Sequence, residues 1–86
     1  MNFFLHVEEA KYVENYKVWL RFNSGEKGEI DLCDSLDGPI FRPLKEVEYF
    51  KSFHIEGNTI SWDNGADFAP EYLLEKLSSN RVAEGI

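Results

Sequence analysis

Polar and apolar residues alternate cleanly from Tyr16 to Phe22, "YKVWLRF": Tyr16, Val18, Leu20 and Phe22 take one face, Lys17, Trp19 and Arg21 the other. A period of two places alternate side chains on opposite faces of a strand. Upstream, Phe4 to Val13 ("FLHVEEAKYV") has the same character, but Glu8-Glu9 breaks the alternation, so a strand with a bulge is expected. Glu14-Asn15 is a turn signal. Downstream, "NSGE" (Asn23 to Glu26) is a second turn, and "KGEIDL" (Lys27 to Leu32) returns with Gly28, Ile30 and Leu32 on one face. These segments predict a three-stranded antiparallel meander.

The pattern changes after Leu32. "CDSLDGPIF" (Cys33 to Phe41) reads as a loop punctuated by Asp37-Gly38-Pro39. In "RPLKEVEYFKS", Pro43 suits an early helical position and Leu44, Val47 and Phe50 stand at helical spacing, which predicts one short helix. "FHIEGNTISW" places Gly57-Asn58 between two β-rich runs, a hairpin signal, with Phe53, Ile55, Ile60 and Trp62 as its apolar positions. "PEYLLEKLSS" begins a helix at Pro70, with Glu71 in the first turn and Leu73, Leu74 and Leu77 on one stripe. Residues 79–86 are expected to be a frayed tail. The order β-β-β-α-β-β-α predicts an α+β domain: a small, mostly antiparallel sheet with helices packed on one face.

Composition bounds this picture. An 86-residue chain has room for one core, so residues 1–86 are read as a single domain. Its thirteen aromatic residues (two Trp, four Tyr, seven Phe) suffice to build that core. Sixteen acids against nine bases give a net charge of −7. Such a chain is repelled by phosphate backbones and anionic lipid, so direct nucleic-acid binding is not expected. The charge keeps a small protein soluble, its simplest consequence, and also suits a basic protein partner. Cys33 is the lone cysteine, which excludes an intramolecular disulfide and fits a reducing, cytoplasmic setting. The start, "MNFFLHVEEA", lacks a basic region before its apolar run, so no signal peptide is expected, and no run is long enough to span a membrane.

Candidate chemistry is sparse. Asp31 and Asp34 flank Cys33, and nearby acids dull a thiol, so a nucleophilic Cys33 paired with His6 or His54 is not expected. His6, His54, Asp31, Asp34, Asp37, Asp63 and Asp67 show no metal-ligand spacing. "DNGAD" (Asp63 to Asp67) only faintly resembles a calcium loop, lacking the alternating ligands and the closing Glu. "DGPIF" has one Gly and a Pro that removes a donor, so it cannot cradle a phosphate. No cofactor, metal or catalytic residue is expected. Trp19 shares its face with Lys17 and Arg21: it is an exposed interface anchor, or both sheet faces are covered, or its ring packs beneath neighbouring long side chains.

Three segments carry a family resemblance: "VWLRFNSGEKGEIDL" (Val18 to Leu32), "GPIFRPLKEVEYFKSFHI" (Gly38 to Ile55) and, most specific, "ISWDNGADFAPEYL" (Ile60 to Leu73). Over about residues 5–78 the chain resembles a bacterial domain-of-unknown-function family numbered 2442. The resemblance implies a small α+β fold and supplies no catalytic residues. Its signature falls on Phe41, Trp62, Asn64, Gly65, Asp67 and Pro70, which with Trp19 are the candidate interaction residues. It also implies gene pairs suspected to be toxin–antitoxin modules. Some relatives carry a C-terminal helix-turn-helix; nine residues follow Leu77 here, so autonomous DNA binding is not expected.

Two functions follow. The first is a non-enzymatic, acidic binding module, antitoxin-like or regulatory, for a small basic protein; a homo-oligomer through open sheet edges is compatible with it. The alternative is a small ligand-binding domain or enzyme using the Asp63–Asp67 loop. Within "SWDNGADFAPEYL", Trp62 is expected to anchor in the core and Asp63-Asn64-Gly65 to turn the chain. Asp67, or the backbone of Ala69, is expected near the helix entrance, where a carboxylate can accept from free N–H groups. On that reading a structural corner is preferred to a binding site.

Overall fold

The computed structural model describes the backbone of residues 4–84 and the side chains of residues 4–79. Strand β1 (Val7–Glu14) pairs antiparallel with β2 (Lys17–Phe22), which pairs antiparallel with β3 (Lys27–Asp31). Val7 lies opposite Phe22 and Glu9 opposite Arg21, so Glu8 is the extra residue of a bulge, where the Glu8-Glu9 break in the pattern places it. A second irregularity falls between Tyr12 and Glu14.

The inner face carries the alternating set. Val18, Leu20 and Phe22 of β2, Ile30 of β3 and Leu32 just beyond it are buried. They join Leu36, Leu44, Phe50, Ile60, Trp62, Phe68, Leu73 and Leu77 in one hydrophobic cluster. The predicted α+β order is therefore the observed one.

Between the sheets the chain turns tightly. A 3₁₀ turn at Cys33–Ser35 precedes another at Arg42–Lys45, with Pro43 in its first turn. The short helix α1 (Val47–Phe50) follows. The single helix expected over this stretch is thus two turns, broken at Glu46, whose ψ of 115° is extended. Leu44, Val47 and Phe50 repeat every three residues, the period of a 3₁₀ helix rather than the 3.6 of an α-helix. Leu44 and Phe50 are still both buried. The Tyr16 hydroxyl donates to the Lys45 carbonyl, tying these turns to the start of β2.

Strands β4 (His54–Glu56) and β5 (Thr59–Ser61) form the predicted hairpin, with Asn58 in the left-handed region at φ 74°. The Val7 N–H donates to the Asn58 carbonyl at 2.8 Å, which fastens this hairpin to β1. Of its apolar positions, Ile60 and Trp62 are buried, Phe53 is half-buried and Ile55 is exposed. Helix α2 (Pro70–Glu84) packs against β3 through buried Leu73 and Leu77, with Leu74 half-buried beside them. Residues 85–86 of the expected tail lie outside the described residues. No described helix is long and apolar enough to cross a membrane.

The outer face of the meander is laced with ion pairs. Arg21 meets Glu8 at 2.6 Å and Glu9 at 3.4 Å, Lys11 meets Glu9 at 3.4 Å, and Lys17 meets Glu14 at 3.7 Å. The hydrogen bond from Lys11, aided by the charges of Lys11 and Arg21, holds the Glu9 carboxyl below the ordinary carboxylate range. Trp19 is half-buried here, with the Lys11 ammonium 5.4 Å from its ring centre. Lys11 thereby covers part of the ring.

Candidate functional site

The signature corner begins at the end of β5. Trp62 is 2% exposed, and its indole N–H donates to the Phe50 carbonyl at 2.8 Å. Its ring contacts Phe50, Phe53 and Phe68, with centroids 5.7, 6.1 and 5.9 Å away. Trp62 is the hub of the aromatic core, and both ends of its amphipathic ring are used.

Residues 62–66 close a tight turn. The Gly65 N–H donates to the Trp62 carbonyl at 3.0 Å, and the Trp62 N–H donates to the Ala66 carbonyl at 2.9 Å. Gly65 has φ +93°, a region a β-carbon disfavours. Asn64 works in two directions. Its Oδ1 accepts from the Ala66 N–H at 3.0 Å, and its Nδ2 donates to the Ile40 carbonyl at 2.9 Å. The second bond pins the corner to the loop that carries Phe41. Asn64→Ala removes both bonds at a partly exposed site and is expected to cost about 1–2 kcal/mol. That corresponds to a melting point lower by about 4–8 °C for each kcal/mol in a domain of this size, and thermal denaturation followed by circular dichroism checks it.

Beyond the turn, Ser61 and Asp67 form an isolated antiparallel bridge, and the Thr59 hydroxyl donates to the Phe68 carbonyl at 2.5 Å. Phe68 lies between half-buried Phe41 and exposed Tyr72, stacked on both at 4.8 and 5.7 Å. The Tyr72 and Ser35 hydroxyls hydrogen-bond at 2.6 Å. Pro70 opens α2 as its first residue.

Every signature residue but Asp67 is thereby employed in holding the corner, and its neighbour Asp63 is likewise left over. Among the described residues the Asp67 carboxylate makes no hydrogen bond and no ion pair; only its backbone is engaged, in the bridge to Ser61. Of the two groups expected at the helix entrance, the Asp67 carboxylate is not engaged, whereas the carbonyl of Ala69, which directly precedes Pro70, accepts from the Leu73 N–H at 3.2 Å. The Asp63 carboxylate is exposed, with only the His54 ring nearby at 3.8 Å.

Asp67 instead borders a cleft of about 250 Å³, together with Glu56, Ser61, Trp62, Gly65 and Ala66. The Glu56 carboxylate accepts from the His54 ring Nε2 at 2.8 Å, so His54 stands between Glu56 and Asp63. Sequence reasoning singled out Asp67 and missed Glu56, which the hairpin brings alongside it from eleven positions upstream. No local signal marks that juxtaposition. Phe41 and Trp19 lie away from the cleft lining: Phe41 in the ring stack, Trp19 on the outer sheet face. Cys33 is exposed, with its backbone N–H donating to the Asp31 carboxylate at 2.9 Å. Among the described residues, no three of His, Cys, Asp or Glu gather where they could share a metal ion.

Fold and corner together define a small α+β domain whose signature braces an aromatic core and leaves two acids over. The chain belongs to the protein family of unknown function DUF2442, whose model matches residues 7–79. Comparison with curated proteins and with solved structures finds no match.

Proposed function

We propose that the protein is a non-enzymatic binding module for a small basic protein, in an antitoxin-like or regulatory role. The distribution of charge carries this reading. On the meander, Glu8, Glu9 and Glu14 are neutralised by Arg21, Lys11 and Lys17. From Asp31 to Glu71 there are nine acids against three bases, Arg42, Lys45 and Lys51. Within that stretch Asp34, Asp37 and Asp67 are exposed and form no ion pair among the described residues. Unneutralised acids spread over adjoining loops steer a basic partner and repel nucleic acid. The cleft favours the second reading, a small-ligand site on the Asp63–Asp67 loop. Its volume, below the roughly 300–1,000 Å³ of small-molecule pockets, places that reading second.

The test is to mix the chain with the product of the adjacent gene and follow complex formation by size-exclusion chromatography. A complex at about 10 μM that dissociates as salt is raised is the expected result. No complex at that concentration contradicts the proposal. The same chromatogram reads self-association through an open sheet edge.

A further inference from the structure

We infer that the cleft beside the signature turn receives one arginine side chain of the basic partner. This deepens the binding-module reading and rests on it, adding the place and the residue type. Four features of the cleft converge. Two acidic residues, Glu56 and Asp67, line it, and neither Lys nor Arg does. Asp67 has no internal partner, whereas every neighbouring signature side chain from Trp62 to Phe68, Asp63 excepted, is committed to the fold. Trp62 and Ala66, both buried, give the cleft an apolar lining for an aliphatic stem. The volume of about 250 Å³ suits one long side chain and is small for a free cofactor.

The chemistry selects arginine over the other cations. A metal ion needs several converging ligands, and among the described residues no such group of three forms. A lysine ammonium is a compact, strongly hydrated point charge. A guanidinium is weakly hydrated, planar and carries five donors, so one head can serve two separate carboxylates. Glu56 also accepts from the His54 ring at 2.8 Å.

The probe is a short capped peptide, Gly-Arg-Gly, titrated to about 20 mM into the ¹⁵N-labelled chain. Saturable shifts of the Gly57, Gly65, Ala66 and Asp67 amides are expected. The citrulline peptide, of the same shape without the charge, leaves them unmoved, and the lysine peptide binds more weakly. Asp67→Asn and Glu56→Gln each weaken the arginine peptide about two- to fivefold, the range for partly exposed charge pairs, with an unchanged melting point. The proposal is overturned by no saturable shift, by shifts confined to the Trp19 face, by equal binding of the citrulline peptide, or by indifference to Asp67→Asn. Tighter binding of free L-arginine than of the peptide also overturns it, because the site is then one for an amino acid. A partner complex that forms normally with Asp67→Asn/Glu56→Gln removes this inference and leaves the binding-module reading standing; no complex with the unaltered chain removes that reading itself.

Discussion

Trp62→Ala is expected to destabilise the chain by about 3–5 kcal/mol, the range for deleting a buried large aromatic. A domain of 86 residues has roughly 4–13 kcal/mol in all, so the loss is a large share of the total. Three aromatic neighbours, Phe50, Phe53 and Phe68, lose a packing partner at once. The Phe50 carbonyl also loses its indole donor, and an unsatisfied buried acceptor costs more than the bond itself contributed. The melting point falls by more than about 12 °C, since each kcal/mol corresponds to about 4–8 °C at this size. Trp62→Phe separates the two causes: it restores most of the packing and leaves the carbonyl orphaned, so it falls between the two proteins. Urea denaturation of the three reads this directly. A loss under about 1 kcal/mol for Trp62→Ala is incompatible with Trp62 as the hub of the core.

The second large effect lies on β3, at Gly28. Gly28→Ala places a β-carbon 2.7 Å from Cδ1 of Leu77, far inside van der Waals contact. Leu77 is 2% exposed and has little room to turn aside. Helix α2 must shift off β3 or Leu77 must leave its rotamer, and overpacking of this kind costs about 1–3 kcal/mol. Leu77 identifies the cause. If the clash is the mechanism, Leu77→Ala costs less in the Gly28→Ala background than in the unaltered chain, a coupling that a double-mutant cycle measures. Strict additivity places the cost in the backbone of Gly28 instead.

These two positions differ in how far the sequence announces them. Trp62 stands at the end of a β-rich run behind a Gly-Asn turn, and alternation from Ile60 aims it inward. The same reasoning sets the inner faces of β2 and β3, because a period of two has one solution when one face must be buried. Gly28 is legible as an inner-face position, but not as the point where a helix fifty residues away comes to rest. That contact depends on how α2 crosses the sheet. The stretch from Leu44 to Phe50 is helical as expected, but its division into a 3₁₀ turn and α1 is not legible, because a spacing of three serves both kinds of turn until the dihedral break at Glu46 is known.

At the corner, local rules place the turn, the helix start and the Ala69 backbone at its entrance, while the Asp67 carboxylate is left unengaged. Its actual environment depends on the 62–66 turn closing and bringing Asp67 level with Ser61, a matter of register rather than of position relative to Pro70. The cleft is harder still to read, since Glu56 and Asp67 meet only after the hairpin has folded back on itself. What changes with the structure is the balance between corner and site. Asn64, Gly65 and Trp62 are the corner; Asp67 is left for binding.

The affinity of the Asp67→Asn/Glu56→Gln chain for the adjacent gene's product, measured by calorimetry beside a thermal melt, tests this division most directly. Weaker binding with an unchanged melting point is the predicted result. Unchanged binding, or a melting point lowered as far as in Asn64→Ala, contradicts it.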